Sequence, residues 1–202
     1  QGTVILAGAN NRLGSGSNVI LGNGTTSGML LLEGVNQTVT AITTAGTGLD
    51  NRVVGNSPTV SILTINNASD TTLAATLGGS AANNNQLALT KSGLGTLTLS
   101  GANSFVGNTT VSAGGLRLDY TSFNNSKLSD TGTLTLGGAL TLNGGTHKEI
   151  VGQTVITTNS TITRTTGTAT INLGAISRTG AATLNISEAG IATTSTMNDL
   201  TG

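Results

Sequence analysis

The stretch LALTKSGLGTLTLSGANSFVGNTTVSAGGLRL, residues 87–118, decides the fold. Short alternations of aliphatic residues and threonine are separated by Gly, Asn and Ser, and no helix-length apolar period occurs. Leu97 and Leu99 fall on one side of an extended chain and Thr96 and Thr98 on the other, which is period-2 strand geometry. The string GTLTLSGAN at 95–103 repeats GTVILAGAN at 2–10, and a truncated echo, GTLTLGGALTL, starts at Gly132. A small strand-turn unit that recurs along a chain predicts a solenoid.

Working outward, the alternation continues in both directions. Val4 and Leu6, Leu30 and Leu32, Leu116 and Leu118, and Leu134 and Leu136 share a side, as do Ala169, Ile171 and Leu173, and Leu184 and Ile186. Their neighbours are polar, including Thr3, Arg117, Asp119, Thr133, Thr135, Thr170 and Asn172. Turn signals at 22–24, 78–79, 114–115 and 143–145 separate them, rich in the Gly and Asn that sharp corners need. Strands of four to six residues with turns about every 7–12 residues fit a sandwich, a barrel or a β-solenoid. The echoes, the rarity of hairpin dipeptides and the near-absence of aromatics favour the solenoid, because a sandwich uses aromatic bulk between its sheets. At about 20–25 residues per turn, eight to ten rungs stacked at about 4.8 Å make a rod of about 40–48 Å. Residues 1–202 are read as one β-solenoid segment with its best repeat at 91–118, and 83–86 as an outside loop.

Composition narrows the function. Among 202 residues there are 30 glycines, no cysteine, one histidine and only 8% charged residues, against about 25% in an average domain. The apolar fraction of 36% argues for order rather than disorder. Eight basic and eight acidic residues are scattered singly, so no basic stripe points to nucleic acid or an anionic membrane. No apolar run approaches the roughly 18 residues of a spanning helix.

Residues 91–118 resemble the autotransporter-associated β-strand repeat, whose pattern is G-x-G-T-L-x-L-x-G-x-N-x-Y/F-x-G-x-T-x-V-x-x-G-x-L. The matching positions are Gly93, Gly95, Thr96, Leu97, Leu99, Gly101, Asn103, Phe105, Gly107, Thr109, Val111, Gly114 and Leu116. The resemblance implies a right-handed parallel β-helix in an exported protein of the bacterial surface, with an elongated, passive role. It assigns no catalytic residue, so none is carried over.

Read residue by residue, the chain offers little chemistry. His147 lies beside Lys148 and Glu149, with no second His or Cys to complete a zinc site, and the three are read as a surface turn. Without a G-x-S-x-G elbow, and with one imidazole, a serine triad is not expected. Arg117, Asp119 and Asp130 are close in sequence, and Tyr120 and Phe123 could stack on a sugar, as in a polysaccharide-cleaving β-helix. The competing reading is a polar corner loop. The T-x-T pairs at Thr96/Thr98, Thr133/Thr135, Thr161/Thr163 and Thr168/Thr170 are spaced too irregularly for an ice-binding face. No acidic loop suits calcium. We therefore expect no enzyme, no catalytic, cofactor or metal site, and a structural rod. An adhesin contacting glycans or host surfaces is the alternative. The start at Gln1 inside a strand pattern, and the absence of a cap at either 1–6 or 197–202, lead us to expect a section of a longer rod or head-to-tail stacking of copies.

Overall fold

The computed structural model describes residues 2–195, which form β-strands joined by corners, with no helix among them. Every strand pairing between successive turns is parallel, so the chain coils as a β-solenoid with three faces per turn. The first face is the seven-stranded ladder from Gln37–Val39 to Ala175–Arg178, and the second is a six-stranded ladder from Thr71–Leu73 to Leu184–Ile186. Asn18–Leu21 and Ala41–Thr44 form a separate two-stranded ladder. The third face has four strands from Gly2–Ile5 to Thr76–Leu77, and three more from Lys148–Ile150 to Ala192–Thr193. One turn takes between 19 residues (Leu97 pairs with Leu116) and 26 (Leu63 pairs with Leu89).

Strict register puts like residues over like. Inside the second face Leu73, Leu99, Leu118 and Leu142 form one column, and Leu97, Leu116, Leu140 and Ile162 the next. All eight are buried in a core that runs through the tube. Uniform aliphatics suit the bore because each side chain meets its own shape one rung above and below. Between the faces the chain must turn in very little space. A Cβ on Gly95 would lie 2.4 Å from the carbonyl of Ser69 on the neighbouring turn, so only glycine lets the two corners stack. Gly114, at a φ of 64°, takes the left-handed conformation the next corner needs.

Three expectations change here. Val4 is 52% exposed and Ile186 41%, because each lies on an end rung of the described tube with little packed over it. Asn83–Gln86 do not form a loop standing clear of the tube. Asn83, at a φ of 63°, and buried Asn84 accept backbone hydrogen bonds from Asn56 and Gly55, and so close a corner. The four T-x-T pairs fall on three different faces, which is a firmer obstacle to one array than their uneven spacing. The expectation about the ends rests partly on Gln1 and 197–202, which lie outside the described residues.

Leu99→Asp should destabilise the fold by roughly 3–5 kcal/mol, since an unpaired carboxylate would replace a leucine with no exposure. Thr98→Asp, one position along but outward and beside Arg117, should stay within about 0.5 kcal/mol of the parent. Urea denaturation of both variants checks the register.

Candidate functional site: the interrupted third face

Between Leu77 and Lys148 the third face has no strand, yet the chain crosses it twice, near 103–107 and near 126–131. Some backbone groups on these rungs still bond across turns, such as the Ser104 N–H to the Leu77 carbonyl, but others find side chains instead of a ladder. Asn103 bridges both gaps: its Oδ1 accepts from the N–H of Leu77 at 3.0 Å and its Nδ2 donates to the carbonyl of Lys127 at 3.0 Å. Ser129 Oγ donates to the carbonyl of Val106 at 2.9 Å. Phe105 and Leu128 fill the bore where strand residues would have pointed inward.

The next rung supplies the remaining acceptor. Glu149 is central in the strand Lys148–Ile150, pairs with Ile171 above it, and points into the tube with no exposure. Its carboxylate accepts from the N–H of Lys127 (3.0 Å to Oε2), the N–H of Leu128 (3.0 Å to Oε1) and the hydroxyl of Tyr120 (2.7 Å to Oε2). Two of these donors are backbone amides with no strand partner, so the carboxylate substitutes for a missing ladder. Burial pushes the Glu149 carboxyl up to about 7, against the pull of its three donors. Burial also drives the Tyr120 hydroxyl well above its ordinary range.

Lys127 is equally enclosed. Its ammonium donates to the carbonyls of Phe123 (2.8 Å) and Gly101 (3.0 Å) and to Asn125 Oδ1 (3.1 Å), and lies 5.7 Å from the centre of the Tyr120 ring. Burial lowers its affinity for a proton, while the charges of Glu149 and Asp119 raise it. A second inward lysine, Lys91, stacks between Ile65 and Val111 and donates to the corner carbonyls of Ser92, Gly93 and Ala113. Neither lysine was singled out from sequence. Lys91 at an inward position of an alternating strand was a signal that could have found the second one.

The residues weighed from sequence separate here. Glu149 is not in a surface turn: it is interior, while Lys148 beside it is exposed and His147 half-buried. Strand alternation, rather than polarity, decides which of the three points in. Tyr120 cannot stack on a sugar because it is buried, whereas Phe123 is half exposed. Asp119 is committed to Thr121 and to Asn143 on the next turn, and Arg117 lies outward on the same strand. Asp130 is exposed in the loop, so the polar corner reading fits 121–131 except at buried Lys127, Leu128 and Ser129.

The nearest approach to a nucleophile and base is Ser126 Oγ, 3.3 Å from His147 Nε2, beside a recess of about 320 Å³ lined by Ser126, Ser129 and Asp130. The two amides that follow Ser126, which an oxyanion would need, are already bound to Glu149. The described residues hold no cluster of three or more metal-ligating side chains. The arrangement closes a loop onto the tube.

Residues 89–118 match the family described as passenger-associated-transport-repeat. The chain therefore carries that repeat, and the match spans the first-face strand Leu87–Ser92 from Leu89 on, through the second-face strand Gly115–Asp119 up to Leu118. No curated protein and no solved structure matches the chain.

Asn103→Leu keeps the bulk but orphans the Leu77 amide and the Lys127 carbonyl. We expect a loss of about 2–6 kcal/mol, at about 1–3 kcal/mol for each of the two unsatisfied groups. A urea midpoint unchanged from the parent would show that the side-chain bridge carries no weight.

Proposed function

We propose that this chain is a structural module of a bacterial passenger protein, carried to the cell surface or beyond, where it acts as a rod without catalysis. The observation that carries the reading is the passenger-type repeat at 89–118, set within ladders that continue in register on both sides of it. Two further features support it. The buried charges are consumed by backbone carbonyls and amides, and many of the glycines, Gly46, Gly95 and Gly114 among them, by corner stacking, so these unusual residues serve the tube.

We further propose that the rod lengthens by stacking. Gly2–Ile5 pairs through one edge with Gly28–Leu31. Val4, Leu13, Val19, Leu21 and Leu30 line an apolar recess of about 280 Å³ at this end of the described tube. A further β rung, from a second copy or from the same polypeptide, completes the ladder and covers that recess. A head-to-tail contact of this kind does not close on itself, so copies joined this way give a filament.

Sedimentation velocity and electron microscopy test the stacking. The parent chain should form elongated oligomers as concentration rises, and Val4→Lys, which puts a charge in the recess, should abolish them. A parent that stays a monomeric rod over a wide concentration range overturns the stacking. The rod itself is tested separately by the particle's axial ratio.

A further inference from the structure

We propose that the loop 120–132 is a pH-gated strap: it is clamped on the third face at mildly acidic pH and loosens as the pH rises to neutral. This goes beyond the structural role proposed above, because it makes one segment of the rod responsive.

The geometry makes the strap separable from the tube. No residue between Tyr120 and Gly132 is in a strand. The loop is held by side-chain anchors: the Glu149 carboxyl on Tyr120, Lys127 and Leu128, the Asn103 amide on Lys127, the Lys127 ammonium on Gly101, the Ser129 hydroxyl on Val106, Asn124 on Thr146, and Ser126 beside His147. The neighbouring ladders, Gly115–Asp119 with Ala139–Asn143 and Thr109–Val111 with Thr133–Leu136, are continuous without it. Releasing the strap costs these anchors, the burial of Leu128 and Tyr120, and the backbone bond from the Tyr120 N–H to the Asn143 carbonyl, but it breaks no strand. Segments with few ladder bonds are the ones that open below the global stability.

The gate is the Glu149 proton. Every ionisable group facing this carboxyl can be named. Tyr120 donates to it from the end of one strand, and Lys127 and Asp130 come from the strap, with Asp119 facing Lys127. His147 and Lys148 lie on its own segment, His147 stacking 5.4 Å from the Tyr120 ring and Lys148 pointing to solvent. The strand above contributes Ile171, which is uncharged. Protonated, Glu149 keeps two amides as donors to its oxygens and turns its own hydroxyl toward Tyr120 Oη. Ionised, it keeps its three donors but holds a full charge away from water, and that desolvation outweighs them.

The sign follows from the raised value. In the closed strap the carboxyl stands near 7, and in the open strap it returns to about 4.5. The closed form is therefore most favoured below 4.5, and that advantage is lost as the pH rises through 7. Between pH 6 and pH 8 the opening equilibrium should grow about tenfold. His147 is shifted the other way, below its usual value by burial, so its own titration belongs to lower pH.

Two readouts on the intact chain test this. Tyr120 is the only tyrosine and the chain has no tryptophan, so intrinsic fluorescence reports the strap alone. Hydrogen exchange of amides 120–132, corrected for intrinsic rates, reports its opening. Both should change together as the pH rises from mildly acidic and level off just above pH 7 in the parent and in His147→Gln, with exchange about tenfold faster at pH 8 than at pH 6. In Glu149→Gln both should be flat. Exchange of 120–132 that is flat across this range in the parent overturns the proposal even if Glu149→Gln does not fold. A titration that survives Glu149→Gln, or vanishes in His147→Gln, also overturns it.

Discussion

Backbone hydrogen bonding between successive turns is the constraint on which this structure depends. A parallel tube satisfies each turn's N–H and C=O groups only with the turns directly above and below. Register is therefore inherited along the whole length. Once Leu97 sits over Thr71 and under Leu116, the inward and outward positions of that strand are fixed, and so are those of its neighbours. Variation in turn length, from 19 to 26 residues, is absorbed mainly in corners and loops, with one register shift inside a ladder, where Leu142 pairs with Arg164 and Asn143 with Thr166.

The third face shows what happens when the constraint is not met by strands. Over two crossings the chain lacks ladder geometry, and polar side chains take over: an amide at Asn103, a hydroxyl at Ser129, a carboxylate at Glu149 and an ammonium at Lys127. Side chains at this depth carry a desolvation cost that a ladder does not. The cost is offset because each group meets several partners, and it leaves the segment sensitive to the charge state of one carboxyl. A chain with so few charges places three of them, Lys91, Lys127 and Glu149, fully inside. Buried charge in this tube is thus a substitute for backbone pairing, and its natural place is at a corner or a break.

That economy also bears on function. Residues weighed for chemistry in the sequence, His147, Glu149 and Tyr120, do meet in space, with Lys127 beside them. Their hydrogen-bonding capacity is largely spent on holding 120–132 in place, and the amides beside Ser126 are spent with them. A module that lengthens and supports is the reading consistent with a site turned inward on its own loop.

Much of this was legible in the order of residues. Period-2 alternation at Leu97/Leu99 and Leu134/Leu136 identified strands and their inward sides, because a strand's side chains alternate whatever it pairs with. The repeated G-T-x-x-L-x-G-A-N string identified a stacked unit, because identical short strands cannot bury themselves alone. The fate of the polar residues was not legible. Whether Glu149 or Lys148 enters the bore depends on the phase of Lys148–Ile150, and that phase is set by pairing with Thr170–Asn172, 22 residues on. The burial of Tyr120 and Lys127 depends on a loop crossing a face whose strands are missing. Local pattern determined which segments are strands. Only the stacking of one turn on the next decided which charges the tube encloses, because their partners are backbone groups distant in sequence.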